Sequence, residues 1–331
     1  MGTTHLPGVT KYNPTLDGIR GWAFLIVLVM HGFLLCLDSS CLYLQGCGKY
    51  GVWLFFVLSS FLLTENYVLM NSSKQEYFFG RVFRILPLYF ICITFYAVAN
   101  IIEPTVFDIV LTIFGLFGPL HLWTIPVEFC FYMILLIVWF IPNQLIRNII
   151  MTLMASGSII SLNYIPKDPN SVNVFWYIPS FYCGYILAVI RPKLSLIKFG
   201  SKIPIVIVAG LIFLSPGIQL LLFKIEPSAY LMNMYFPLSI LCSIFVLAIL
   251  NTKSKLIDQI FKSHLLLFLG KISYSGYLFH LIIMLELRKM MGSSLLTVFT
   301  SIVVSIATAY LVNRAIEMPL YKARKLLLIN R

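Results

Sequence analysis

Leu16–Phe33 reads LDGIRGWAFLIVLVMHGF, which sets a carboxylate, a guanidinium and an imidazole into sequence otherwise suited to lipid. An ionisable group at that depth is costly unless it is partnered or put to use. Arg20 and His31 are eleven residues apart, almost three whole turns at 3.6 residues per turn, so on a helix they share one face about 16 Å apart. Asp17 joins that face at the membrane entrance. Such a face suits a long ligand whose anionic head stays at the surface while its other end dips into the bilayer; an acyl thioester of coenzyme A has that shape.

Outward from this stretch, the chain has 331 residues, 60% of them hydrophobic and only 11% charged. That composition demands lipid and excludes an ordinary soluble domain. The formal net charge of +12 could suggest nucleic acid, but the basic residues sit in short gaps between apolar runs, where they serve as orientation signals; a nucleic-acid role is set aside. The first dozen residues are polar and the first apolar segment has no small-residue cleavage site, so that segment is expected to stay as the first span. None of the seven cysteines falls in a metal-type Cys-x-x-Cys pair, and no metal is expected. Cys41 and Cys47 lie in the loop after the first span, where an oxidising compartment would allow a disulfide and a reducing one would leave free thiols.

Ten apolar runs are long enough to span: about 21–37, 50–68, 83–102, 124–141, 146–164, 173–190, 204–223, 229–250, 265–287 and 293–313. Between them, Pro104–Leu122 (PTVFDIVLTIFGLFGPLHL) carries Asp108 and is broken by Gly115, Gly118 and Pro119. If it does not cross and the N-terminus is cytoplasmic, the 24 Lys and Arg divide 19 inside to 5 outside; if it crosses, the split becomes 9 to 15. The positive-inside rule favours the first arrangement. The expectation is an all-α polytopic bundle of about ten transmembrane helices, with 104–122 re-entrant or partly embedded and both termini cytoplasmic. With no internal repeat and no large hydrophilic insertion, residues 1–331 read as a single transmembrane domain without a soluble extracytoplasmic one.

Arg81 and Arg84 sit three residues apart on one face at the cytoplasmic end of the third span. Paired guanidiniums make bidentate contacts to phosphate, and they equally serve as anchors on lipid headgroups. In WTIPVEFCFY, Glu128 opens a span with Tyr132 one turn on. It is either a general acid or base, or an orienter of an imidazole, or a carboxylate favoured at a helix start. Ser273, Tyr277 and His280 form a polar stripe at i, i+4 and i+7, read as interhelical hydrogen bonding or, for His280, as a second base. His31, at membrane depth on the face of Arg20, is the favoured base, because burial keeps an imidazole neutral.

LDGIRGWAFLIVLVMH, GVWLFFVLSSFLL, RVFRILPLY, LWTIPVEFCFY, GKISYSGYLFH and NRAIEMPLY, in that order from Leu16 to Tyr321, resemble acyltransferase family 3, integral membrane proteins that O-acylate bacterial surface glycans. The resemblance implies a multi-pass protein of the bacterial inner membrane. It would move an acyl group, typically acetyl, from cytoplasmic acyl-coenzyme A to an extracytoplasmic sugar hydroxyl, as on lipopolysaccharide O-antigen or another surface polysaccharide. It makes His31 catalytic, with Glu128 orienting or recharging it, and Arg20, Arg81 and Arg84 the coenzyme A contacts, supported by Asp17, Trp123, Ser273, Tyr277 and His280. Two departures stand out. Ser60 replaces the glycine of the usual Ser-Gly-Phe, which should narrow a close helix approach, and Thr124-Ile125-Pro126-Val127 keeps only one of two motif hydroxyls. A transporter or flippase for a glycan precursor is the rival from another class, but its matching halves with broken helices are absent. A structural scaffold would not need Arg, His and Glu at depth.

Overall fold

The computed structural model describes residues 13–37, 43–70, 72–161, 164 and 172–329. Among them the regular structure is helical, apart from one isolated bridge between Phe199 and Thr252. The choice between a Cys41–Cys47 disulfide and free thiols turns on Cys41, which lies outside the described residues.

α1 (Pro14–Cys36) starts where its sequence says it should. Asn13 accepts a hydrogen bond from the Thr15 amide at 3.0 Å, and Pro14, with no amide to satisfy, takes the first turn. α2 (Lys49–Leu63) returns antiparallel and runs into a π-helical turn, Thr64–Leu69. α3 (Lys74–Val98) begins under a Ser73 cap and carries Pro87 inside it.

The segment directly after α3 forms only a short helix. α4 (Val106–Ile113), started by a Thr105–Asp108 capping box, has 8 residues, about 12 Å of helix against a hydrocarbon core of about 30 Å. Gly115, at φ +69°, ends the unit in a backbone conformation open to glycine. A 3-10 turn, Leu120–Trp123, then leads directly into α5 (Thr124–Trp139).

α6 (Gln144–Ser161) and α7 (Ile178–Leu194) follow, then α8 (Lys202–Phe213) and α9 (Pro216–Phe223), bent by 56° at their junction. α10 (Pro227–Asn251), α11 (Lys255–Phe261), α12 (His264–Met291), α13 (Leu295–Val312) and α14 (Met318–Ile329) complete the chain, with a π-helical turn over Asn313–Glu317. Among the described residues, seven helices are long and apolar enough to cross a membrane, eight if α8 and α9 form one broken span. The expected count of about ten is not reached. The runs at 146–164 and 173–190 became α6 and α7, of 18 and 17 residues, at the short limit for a span and diluted by Arg147 in one and by Arg191 and Lys193 in the other.

The site is positioned by α1 and α12, which lie parallel and make the most extensive helix pair in the molecule. Backbone meets backbone there: a Cβ on Gly21 would stand 2.0 Å from the Leu266 carbonyl oxygen, and one on Gly270 would stand 2.1 Å from that of Asp17. Small residues that allow such approach are the usual currency of helix contacts in lipid, where apolar burial gives no net drive. The register that sets Gly21 beside Gly270 also brings, ten residues further along both helices, His31 to His280. α2 packs on α1 and on α7. The tight approach on α2 is supplied by Gly184 of α7, whose Cβ would meet the Val57 carbonyl oxygen at 2.1 Å. Ser60 therefore obstructs nothing; its hydroxyl is buried without a partner.

Candidate active site

Three histidines from three separate stretches meet between α1, α12 and the turn before α5. His31 Nδ1 lies 2.7 Å from His280 Nε2, and the two rings stack at 5.0 Å with planes 7° apart. His280 Nδ1 is 2.8 Å from the Tyr277 carbonyl and 3.1 Å from that of Gly276. His121 Nε2 donates to the same Tyr277 carbonyl at 2.9 Å, with its ring 4.8 Å from His280 and 6.3 Å from His31. His121 and His280 are buried, whereas His31 is half-buried. Gly276 has room only for the Phe24 ring, 2.2 Å from where a Cβ would stand. Among the described residues no group of three or more His, Cys, Asp or Glu could hold a metal ion.

Glu128 does not orient His31. Its Oε1 accepts hydrogen bonds from the Ser59 and Tyr132 hydroxyls, and the partner of His31 is His280. The physical reason is placement: Glu128 lies one turn into α5, while the turn before α5 delivers His121. Ser273 also stays local, donating to the Gly270 carbonyl at 2.9 Å, so of the polar stripe on α12 only Tyr277 and His280 reach the cluster. Trp123 stacks on Tyr177 at 4.8 Å, with the Lys49 ammonium 5.4 Å from its ring, and anchors the start of α5.

A cavity of about 660 Å³ opens between α1, α2, α3, α5 and α12. Its lining reaches the surface where α2 gives way to α3, at the exposed Met70 and Glu76 beside Tyr67 and Ser72, and this open side is taken as its mouth. Arg20, Arg81 and Arg84 all line it. Arg20 keeps a loose ion pair with Asp17 at 3.9 Å. Among the described residues neither Arg81 nor Arg84 has a carboxylate within 4.0 Å, and the Arg81 Nε is buried with no hydrogen-bond partner. Ser59, Glu128 and Tyr132 line it too, as do the buried Thr124 and Tyr277.

The three histidines are not in that wall. Tyr277 stands in front of them. Its hydroxyl donates to the His121 carbonyl at 2.6 Å and accepts from the Thr124 hydroxyl at 2.9 Å. Thus the motif hydroxyl that this chain keeps fastens the partition. The structure does not bring Arg20 and His31 to one chamber as the shared face predicts: Arg20 lines the cavity, whereas His31 does not and lies behind Tyr277. His121 escaped the sequence reading. Its one available signal was an ionisable residue in a segment broken by glycine and proline at membrane depth, where polar side chains tend to be functional.

The chain is 27% identical to the O-acetyltransferase OatA of Staphylococcus aureus over 94% of its own length, but it spans only 58% of that relative's. It is 26% identical to ORF330 of Acidianus two-tailed virus, a protein named for a suspected acetyltransferase activity, over 97% of this chain and 94% of that one. No solved structure matches. A family model described as an acyltransferase domain matches residues 13–314, nearly the whole chain. The chain therefore belongs to the acyltransferase 3 family.

Proposed function

We propose that the protein is a membrane O-acyltransferase. It takes an acyl group, acetyl by the printed names of its relatives, from cytoplasmic acyl-coenzyme A and gives it to a hydroxyl of a glycan on the far side, such as lipopolysaccharide O-antigen or another surface polysaccharide. The observation that carries this reading is the cavity's charge. Three half-buried guanidiniums line one chamber, among the described residues Arg81 and Arg84 have no carboxylate within 4.0 Å, and charge drawn out of water is costly unless a ligand completes it. Phosphates are the fitting counter-charge, because a guanidinium grips two oxygens at once. The 19 to 5 division of Lys and Arg supports a bacterial cytoplasmic-membrane protein with the mouth and both termini on the cytoplasmic side.

In this mechanism Arg20, Arg81 and Arg84 hold the phosphates, and the pantetheine arm runs past Ser59 and Glu128. Glu128 Oε1 is taken by two hydroxyls, leaving Oε2 to accept from an arm amide. The thioester arrives at Tyr277, and passage of the acyl group requires the Tyr277–Thr124 contact to part. His31 removes the proton of the acceptor hydroxyl as its oxygen bonds to the acyl carbon. The carbon–sulfur bond breaks, and the imidazolium returns the proton to the departing sulfur. Membranes containing the protein, given acetyl-coenzyme A and a surface glycan, should release free thiol and gain ester on the glycan in equal amounts. Thiol release without ester formation, or neither, would remove this assignment.

A further inference from the structure

The hydrogen bonds around His280 decide which nitrogen of His31 can act. His280 Nδ1 faces two carbonyl oxygens, at 2.8 and 3.1 Å. Carbonyl oxygens only accept, so this nitrogen must carry a proton; a bare Nδ1 would set lone pair against lone pair. A neutral ring with a proton on Nδ1 has a bare Nε2, and that atom is the one 2.7 Å from His31 Nδ1. His31 Nδ1 must then donate, which leaves His31 Nε2 bare. Among the described residues His31 Nε2 has no hydrogen-bond partner, and it faces Gly48, where a Cβ would stand 3.7 Å away. Gly48 precedes α2, at the end of the bundle opposite the cavity mouth.

We infer that His280 is a positioning residue. It fixes the tautomer of His31 so that Nε2 is the proton-accepting nitrogen, directed to the Gly48 side from which the acceptor hydroxyl arrives. His121 assists from behind: its Nε2–H occupies the Tyr277 carbonyl beside that of His280, holding in place the oxygen that orients His280. The logic is that of a histidine oriented by a third group through its second ring nitrogen, with a neutral imidazole in place of a carboxylate. This inference rests on the O-acyltransferase reading for its chemistry but not for its first test.

That test is 15N solid-state NMR of histidine-labelled protein in lipid, with His31 assigned through the His31→Gln spectrum. The expected signature is a protonated Nδ1 and an unprotonated Nε2 at His31. The opposite tautomer would overturn the proposal, whatever the activity. A protein with the expected tautomer that moves no acyl group would instead retire the enzymatic reading and leave the tautomer standing. In the transfer assay, His280→Leu removes the acceptor and is expected to lower kcat by about a hundredfold or more, with KM for the donor unchanged. His280→Gln keeps an oxygen that can accept from Nδ1 and should restore at least about tenfold of that loss. Equal kcat in the two variants, or a fall confined to KM, would reject the positioning role. Gly48→Leu should cover Nε2, since even a Cβ there stands 3.7 Å from that nitrogen, and lower kcat with donor KM unchanged. Unimpaired kcat in Gly48→Leu would place the acceptor elsewhere.

Discussion

His31→Ala deletes the base and should lower transfer by about a hundredfold to ten-thousandfold while the protein still inserts, measured as ester formed per molecule of membrane-embedded protein. Arg84→Ala should act on the other half of the site. A charge-assisted hydrogen bond is worth about 1.5–3 kcal/mol, so KM for the donor should rise roughly ten- to a hundredfold, with kcat changed less. An unchanged KM would remove Arg84 from the donor site. These residues could be read in the sequence because each violates the lipid pattern by itself: an arginine or histidine among leucines needs no neighbour to be noticed. What Glu128 and His280 touch could not be read that way. Tyr132 is one turn from Glu128, but Ser59 lies 69 residues from it and His31 lies 249 from His280, and only helix packing brings those distant partners together.

At the scale of helices, the α1–α12 register is the part on which the site most depends. Gly270→Val would push a branched side chain into the Asp17 carbonyl, where even a Cβ stands at 2.1 Å. Overpacking of this kind typically costs about 1–3 kcal/mol, and here it should also separate His31 from His280. The expected result is a lower unfolding temperature in detergent together with lost transfer. Gly157→Ala is the matched control: nothing lies within 4 Å of its added carbon, so both readouts should stay put. Apolar runs and caps made most helices legible, including the broken, short-helix character of 104–122, because these are local properties. Span number was less so. α6 and α7 are apolar by stretch but short by helix, and where a helix ends depends on neighbours that no window of sequence contains.

For the molecule as a whole, the proposed function makes the contacts of Tyr277 with Thr124 and the His121 carbonyl a partition between a donor chamber and an acceptor face. Tyr277→Phe keeps the ring but releases Thr124 and the carbonyl. Water should then reach the thioester more easily, so release of thiol from acetyl-coenzyme A without glycan is expected to increase severalfold, measured with a thiol reagent in sealed vesicles. No increase would mean that the hydroxyl contacts do not seal the chamber. The guanidiniums have one more consequence, for the protein at rest. Three of them against Glu76 and Glu128 leave the lining net positive, so the well should seldom stand vacant in a cell: small polyanions such as inorganic pyrophosphate would lodge there as placeholders, and incoming donor would have to evict them. Turnover would then track the cell's ratio of thioester to free pyrophosphate rather than thioester alone, and titrating pyrophosphate should raise the donor's apparent KM while leaving the saturated rate intact.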